Sequence, residues 1–311
     1  MRTVDRVLAI DLGGTKILVG VVNRRGQISD LARENVDLSN GYKGLVRQMV
    51  RLAQPLVVKH KLRRGAIAAA GPLDPVRGWL LNPTNLKNDH KFWGVSPIAR
   101  DITRALKIPM RLENDAAAAA LAESWVGEAR RCKNSAIVTL GTGLGLGIIA
   151  NGMLVRAGQN LHTEGGHITL NYLEKEWQCG CGNYGCAEAY LSGVNFTNNL
   201  SRLWGRPNLR GHDLVAAARA GEEDALRAFD KYGEKLGYFL YSQVMLFAPE
   251  IVVLSGGFSN ACDLFLKRTE SQLAALLKMH RVGVDMLPDL KISNFRDEAG
   301  LLGAAFVALN A

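Results

Sequence analysis

Apolar and polar positions along this chain follow two periods. Val7–Asn23, VLAIDLGGTKILVGVVN, is a run of Val, Ile and Leu broken once by a tight polar turn, which predicts strand, glycine turn, strand. Ala136–Gly152, AIVTLGTGLGLGIIANG, repeats that grammar, with Asp11 and Thr139 at matching points. Between and after the two copies the period lengthens. Leu45, Met49, Leu52 and Leu56 fall on one helical face, in a helix that Pro55 must end or kink. GAIAAAGPL reads as a buried strand ending in a turn. MRLENDAAAAALAESWVGEA reads as a short strand entering an alanine-rich helix, with Asn114 or Asp115 placed to cap it. EIVVLSGGFSNACDLFLKRTESQLAALL reads as strand, Gly-Gly turn, helix, and DEAGLLGAAFVAL as a helix. Two copies of one strand–glycine–strand unit predict a duplicated α/β fold of two similar lobes. No low-complexity linker separates them, so the lobes are expected to join tightly at a cleft.

Composition narrows this picture. The 311 residues are 48% hydrophobic and 22% charged, enough chain for two compact units. No run of eighteen apolar residues exists, so no membrane partner is expected. The opening MRTVDRVLAIDLGG lacks signal-peptide grammar, because its short apolar run meets Asp11 and glycines; a cytoplasmic protein is expected. The net charge of +9 suits anionic partners in general, or a solvated basic surface. Neither basic cluster, NRRG or KHKLRRG, is interleaved with aromatic residues, so no nucleic-acid partner is expected. In a reduced compartment the five cysteines do not form a disulfide framework, and Cys132 and Cys262 read as ordinary buried thiols.

Three glycine turns, each following a strand, carry candidate chemistry. In DLGGTK, Gly13 and Gly14 let backbone N–H groups approach phosphate oxygens; Thr15 adds a hydroxyl, Lys16 a cation, and Asp11 could hold magnesium through water. The alternative is a plain hairpin turn. A P-loop, G-x-x-x-x-G-K-[ST], is absent. GTGLGLG fails the dinucleotide fingerprint from both Gly141 and Gly143, and a strand follows where a helix would be needed. Thr142 and Gly143 read instead as a second phosphate clamp. Gly256 and Gly257 suit a base or ribose lying against bare backbone. Phosphoryl transfer to a hydroxyl also needs a proton acceptor. Asp115, at a strand–helix junction where the helix N-terminus favours an anion, can supply it, or it serves only as a cap.

The densest signal is HTEGGHITLNYLEKEWQCGCGNYGCAE. Cys179, Cys181 and Cys186 are spaced C-x-C-x4-C with Gly180, Gly182 and Gly185 between them, and His167 completes a Cys3His set suited to a closed, structural zinc. The alternative is three free thiols and a surface histidine. Such a zinc would fix the loop between Glu164 and Glu188, two acceptors suited to a polyhydroxylated ligand. His167 could serve twice, one ring nitrogen on the metal and the other on a ligand hydroxyl. Glu188 is alternatively a solvated loop charge.

On DLGGTK, ENDA, GTGLGLGI, EGGH and CGCGNYGCAE the chain resembles the ROK family (repressor, open reading frame, kinase) of the actin-like sugar kinase superfamily. The resemblance implies two actin-like, ribonuclease H-like lobes, 1–115 with 296–311 and 116–295. It implies ATP-dependent phosphorylation of a hexose or acetylated hexosamine at the 6-hydroxyl, with glucose the leading substrate, magnesium, a structural zinc and a homodimer. By resemblance, Asp115 is the base; Asn114, Asp115, Glu164, His167 and Glu188 bind sugar with Gly71 near them. Asp11, Gly13, Gly14, Thr15, Lys16, Thr142, Gly143, Gly256 and Gly257 would line the ATP site, and His167, Cys179, Cys181 and Cys186 would bind zinc. Three departures lie close to the sugar in the family pattern: Ala117 where asparagine is frequent, His162–Thr163 where Ala-Gly is usual, and a longer NPTNLKNDHKFWG link. They leave N-acetylmannosamine, N-acetylglucosamine or fructose as alternative substrates. A sugar-sensing repressor is a further alternative, but only six residues precede the first strand, too few for a helix-turn-helix.

Overall fold

A computed structural model describes residues 5–83, 86, 93–278, 284–295 and 297–311. Packing divides the chain into two units: Met1–Arg130 with Leu154–Thr163 and Asp297–Ala311, and Arg131–Met153 with Glu164–Arg296. The long NPTNLKNDHKFWG link falls largely outside the described residues.

The first unit begins with β1 (Arg6–Leu12), β2 (Lys16–Asn23), β3 (Ile28–Asn35), α1 (Gly41–His60) and β4 (Gly65–Ala69). Three short strands follow, β5 (Leu73–Asp74), β6 (Trp79–Leu81) and β7 (Val95–Ser96), then α2 (Ile98–Leu106), β8 (Met110–Asn114) and α3 (Asp115–Val126). The main sheet has the order β3-β2-β1-β4-β8, with β1 antiparallel to β2 and parallel to β4, and β4 parallel to β8. The second unit contains β9 (Ser135–Leu140), β10 (Leu144–Ala150), β11 (Met153–Leu154), α4 (Ala187–Leu191), α5 (Gly193–Leu203), α6 (Gly211–Arg219), α7 (Glu223–Phe247), β12 (Ile251–Ser255), α8 (Leu266–Leu277) and β13 (Asp289–Ile292). Its sheet order, β11-β10-β9-β12-β13, repeats the first, with β10 antiparallel to β9 and β9, β12 and β13 parallel. Asp11 and Thr139 both stand one residue before the end of their strands, β1 and β9. The last helix, α9 (Ala299–Leu309), belongs to the first unit. Among the described residues no helix is long and apolar enough to cross a membrane.

The central strands β1, β2 and β4 are buried on both faces, and the edge strand β3 is not. Leu8, Ile10, Leu12, Ile17, Val19, Val21 and Ile67 share one core with Leu45 and Met49 of α1 and Ile98 and Ile102 of α2. Ala9, Gly20, Ala66 and Ala68 occupy alternate positions, and a side chain added at Gly20 would strike Leu301 of α9. This small-residue face lets α9 lie close.

The long first helix differs from its periodicity in two ways. Its buried face is Leu45, Met49, Ala53 and Val57, with Leu52 and Leu56 only partly covered. Hydropathy overlooks Ala53, whose small side chain is what lets that stripe sit flat. The helix also continues through Pro55 to His60, and Pro55 is exposed, where the carbonyl that loses its N–H partner can be hydrated. Cys262 is a buried thiol as expected, whereas Cys132 is only partly covered.

In the second unit an aromatic cluster adds to the buried aliphatic strands β9, β10 and β12. Phe196, Phe229, Tyr232, Phe258 and Phe265 pack at ring-centroid separations of 4.7–6.4 Å. It joins α5 and α7 to the segment after Gly256. The Tyr232 hydroxyl donates to the Leu191 carbonyl at 2.8 Å, which satisfies a buried polar group and holds the end of α4.

At Gly303 the backbones of α3 and α9 pack against each other. A Cβ at Gly303 would lie 1.9 Å from the Ala118 carbonyl oxygen, and the same atom at Gly158 would meet nothing within 4 Å. Gly303→Ala is therefore expected to lower stability by about 3 kcal/mol or more, because backbone and not a flexible side chain must move. Gly158→Ala is expected to change it by less than about 0.5 kcal/mol. Denaturant midpoints for the two variants check this.

Candidate functional site

In the first unit the parallel strands β1, β4 and β8 deliver their chemistry at their carboxyl ends. Gly13 and Gly14 follow β1, Gly71 follows β4 and is partly covered, and Asn114 ends β8. Asn114 is the cap of α3: its side-chain oxygen accepts the N–H groups of Ala116 (3.0 Å) and Ala117 (3.1 Å). Asp115 is the first helical residue, and its Oδ1 shares the Ala116 N–H at 2.8 Å.

Asp11 lies on the face of β1 turned toward α9. A Cβ at Gly300 would come within 2.7 Å of its carboxylate, so the first turn of α9 closes directly over it. Burial, with the carboxylates of Asp115 and Asp297 nearby, pushes Asp11 up to about 7. Asp297 in turn pairs with Lys16 (3.3 Å) and Arg33 (3.5 Å). The Lys16 ammonium, expected to meet nucleotide phosphate, is thus held by Asp297 while remaining exposed. Thr15 is exposed.

In the second unit the two glycine turns touch. Gly256 has a φ of +85°, and a Cβ there would sit 2.5 Å from the Leu140 carbonyl, so only glycine fits where the turn after β12 meets the end of β9. The Gly141 carbonyl accepts the Gly193 N–H at 2.8 Å, which ties the first turn to α5. Thr142 and Gly257 remain exposed. Glu188 of α4 reaches the same turn. Its Oε2 accepts the Leu144 N–H at 2.9 Å and would collide with a Cβ at Gly143. Glu188 is therefore not a solvated loop charge. Gly257, by contrast, opens a 3-10 segment, Gly257–Leu264, that precedes α8, where the sequence suggested a direct Gly-Gly turn into helix.

The loop between these elements gathers His167, Cys179, Cys181 and Cys186. Thr169 bridges Cys186 in antiparallel fashion, and the Ala187 N–H donates to Ile168, which zips the His167 end to the Cys186 end. Gly182 (φ +93°) and Gly185 (φ +74°) make the turns between the thiols. All four donor atoms lie within 4.8 Å of one another, the one group of three or more metal-type ligands that converges among the described residues. The Cys181 and Cys186 sulfurs are 3.7 Å apart, and Cys179 Sγ is 3.5 Å from His167 Nδ1. A tetrahedron with zinc–sulfur bonds of about 2.3 Å has sulfur–sulfur edges of about 3.8 Å, so the donors are already spaced for zinc. Burial pushes the Cys179 and Cys186 thiols upward. Their packing therefore suits thiolates only with a cation at the centre. His167 Nε2 lies 3.8 Å from Glu164 Oε2, and Glu164 is exposed. The Cys179 sulfur also stands 3.4 Å from Glu188 Oε1, so one carboxylate bridges the thiol cluster and the glycine turn.

The sequence matches the ROK family over residues 7–311. The chain belongs to the ROK family. This ROK protein is 30% identical to a glucokinase from Streptomyces coelicolor over 97% of its length and 96% of the relative's. It is 31% identical to an N-acetyl-D-glucosamine kinase from Yersinia pseudotuberculosis over 68% of its length and 71% of the relative's. Its fold superposes on that of a ROK family glucokinase from Streptomyces griseus, solved in complex with glucose and AMPPNP, with a TM-score of 0.83, 27% identity and coverage of 98% and 100%.

Sequence reasoning overlooked Asp297, Gly300, Glu113 and Arg156. Glu113 carries the one readable signal: a carboxylate in an apolar strand requires a partner. The others reach the site only through the fold.

Two outcomes follow for the ROK protein. It is expected to retain about one zinc per chain after dialysis against a mild chelator, and Cys186→Ala is expected to lose it; elemental analysis reads both. For Asp11, the folded chain holds its proton to about pH 7 and the unfolded chain loses it near 3.8. Between these values the folded state binds more protons, so this group's contribution to stability falls as pH rises through the window. Asp11→Asn, neutral throughout, is expected to melt above the parent at pH 8, by up to about 4 kcal/mol in stability, and level with it near pH 4. Thermal melts at the two pH values provide the comparison.

Proposed function

We propose that this protein is an ATP-dependent hexose kinase acting at the 6-hydroxyl, with glucose as substrate. The observation that carries this reading is Asp115. Asn114 caps α3 and Asp115 is its first residue, which sets a carboxylate at the carboxyl end of β8, in a chain similar end to end to glucokinases. Asp115 takes the proton of the attacking hydroxyl, and the α3 N-terminus steadies its anionic form. Asn114, Glu164, His167 and Glu188 hold the sugar, with Gly71 close by. Backbone N–H groups at Gly14 and Gly143, with the hydroxyls of Thr15 and Thr142, hold the phosphates; Gly13, whose own N–H goes to the Lys16 carbonyl at 3.0 Å, shapes that turn, and Gly256 and Gly257 back the nucleoside. Asp11 would hold magnesium through water; the ion neutralises phosphate charge when bound. Zinc would shape the Glu164–Glu188 loop and takes no part in the transfer. The main task left to the side chains is alignment of hydroxyl and phosphorus.

A second reading, an N-acetylhexosamine kinase, draws on the 31% identity to the Yersinia enzyme and on His162–Thr163 beside Glu164. Coupled assays with ATP and magnesium over glucose, N-acetylglucosamine, N-acetylmannosamine and fructose separate the two. No turnover of any sugar would reject both.

Asp115→Asn keeps shape and a hydrogen bond but cannot accept the proton. Turnover is expected to fall roughly 10²–10⁴-fold with sugar affinity changed much less. Glu188→Gln is expected to weaken sugar binding by about 1–3 kcal/mol. His167→Ala is expected to impair both sugar binding and zinc retention. Calorimetric affinity beside turnover for the three variants tests the assignment; near-normal turnover in Asp115→Asn would reduce Asp115 to a helix residue.

A further inference from the structure

Glu113 is the residue immediately before Asn114, and it is only 2% exposed. A carboxylate so deeply covered needs a charged, hydrogen-bonded partner. Arg156 supplies it in a two-pronged arrangement. Its Nη1 donates to Oε1 at 3.2 Å, and its Nη2 pairs with Oε2. The same Oε1 accepts the backbone N–H of Asn114 at 3.0 Å. The guanidinium therefore holds Glu113, Glu113 holds the Asn114 backbone, and the Asn114 side chain holds the first N–H groups of α3, including that of Ala116, which Asp115 also accepts. The chain of contacts runs without a gap from Arg156 to the residue that begins α3.

Arg156 comes from Leu154–Thr163, a segment that packs with the first unit although the chain on either side of it belongs to the second. It lies 43 residues from Glu113 and leads on to Glu164. Its side chain is one quarter exposed, so most of it is committed to the pair. Lysine could match the charge here but not both prongs.

We propose that Arg156 is a positioning residue that fixes the Asn114–Asp115 tip through Glu113 and does not itself contact substrate. The proposal rests on the kinase reading for its effect on turnover, but not for its effect on the tip.

The test uses the full-length chain with Arg156→Met, Arg156→Lys, Glu113→Gln and the Glu113→Gln/Arg156→Met double variant. Hydrogen exchange over residues 113–118 is measured beside kcat and KM. Arg156→Met is expected to speed exchange at Asn114, Ala116 and Ala117 at least about tenfold, with amides in β9 and β12 unchanged. Turnover is expected to fall about 10²-fold, the scale of a small misalignment, with KM for ATP within about threefold of the parent. Glu113→Gln should behave alike, Arg156→Lys should recover part of the loss, and the double variant should be no worse than the worse single one, as for two halves of one device. Should Arg156→Met fail to fold, Arg156→Lys and Glu113→Gln carry the comparison. A raised KM for ATP in Arg156→Met with Glu113→Gln near normal would mean that the arginine meets substrate, and would overturn the proposal. So would undisturbed exchange at 113–118, or a lowered melting temperature with turnover unchanged. If the parent phosphorylates no sugar, the kinase reading fails while the exchange result still decides whether Arg156 holds the tip.

Discussion

Strand polarity is the constraint on which the rest depends. In each sheet the first strand runs parallel to its fourth-position neighbour, so their carboxyl ends lie on one edge. Past that edge the ladder stops and the chain turns, with some turn N–H groups tied internally, as at Gly13 and Gly141. Asp11 with its glycines, Gly71 and the Asn114–Asp115 tip leave one sheet there; the turns at Gly141–Gly143 and Gly256–Gly257 leave the other. The duplicated topology thus produces glycine turns at the same strand ends twice without any requirement for similar side chains. What it does require is small residues where α9 crosses the first sheet, and Ala9, Gly20, Ala66 and Ala68 meet that need.

Four carboxylates show how differently one functional group is handled within this frame. Asp11 is closed over by the Gly300 turn and crowded by other acids, which favours its protonated form until a cation arrives. Glu113 is buried but charge-paired. Glu188 accepts a backbone N–H and a thiol. Asp115 sits at a helix start beside a dedicated cap. Burial alone would make all four alike; their partners separate them.

The elements legible in the sequence were those written in local spacing. Two strand–turn–strand repeats, the capped alanine-rich helix and the cysteine spacing all reside within a few tens of residues. Less legible were features set by distant packing. Ala53 counts as weakly apolar by hydropathy yet lies in the helix's buried stripe, because size matters there more than transfer energy. Pro55 breaks an isolated helix, but tertiary packing of an exposed-proline helix overrides that preference. Asp297, close to Asp11 in space, is almost the whole chain away, and no period could have revealed that it engages Lys16.

The thiol loop illustrates why a non-catalytic metal would still matter to chemistry. Around it Tyr172 and Leu173 are 84% and 68% exposed, so the loop has little apolar surface of its own to bury. Such a segment is ordered by cross-links more than by a core. The cross-link proposed here gathers Cys179, which touches Glu188, and Glu188 accepts the Leu144 N–H in the turn after β9. Loss of the metal would therefore release the loop that packs against Glu188 and, through it, the turn at Gly143–Leu144. In this arrangement a metal would act by placing one glutamate, with no bond to it.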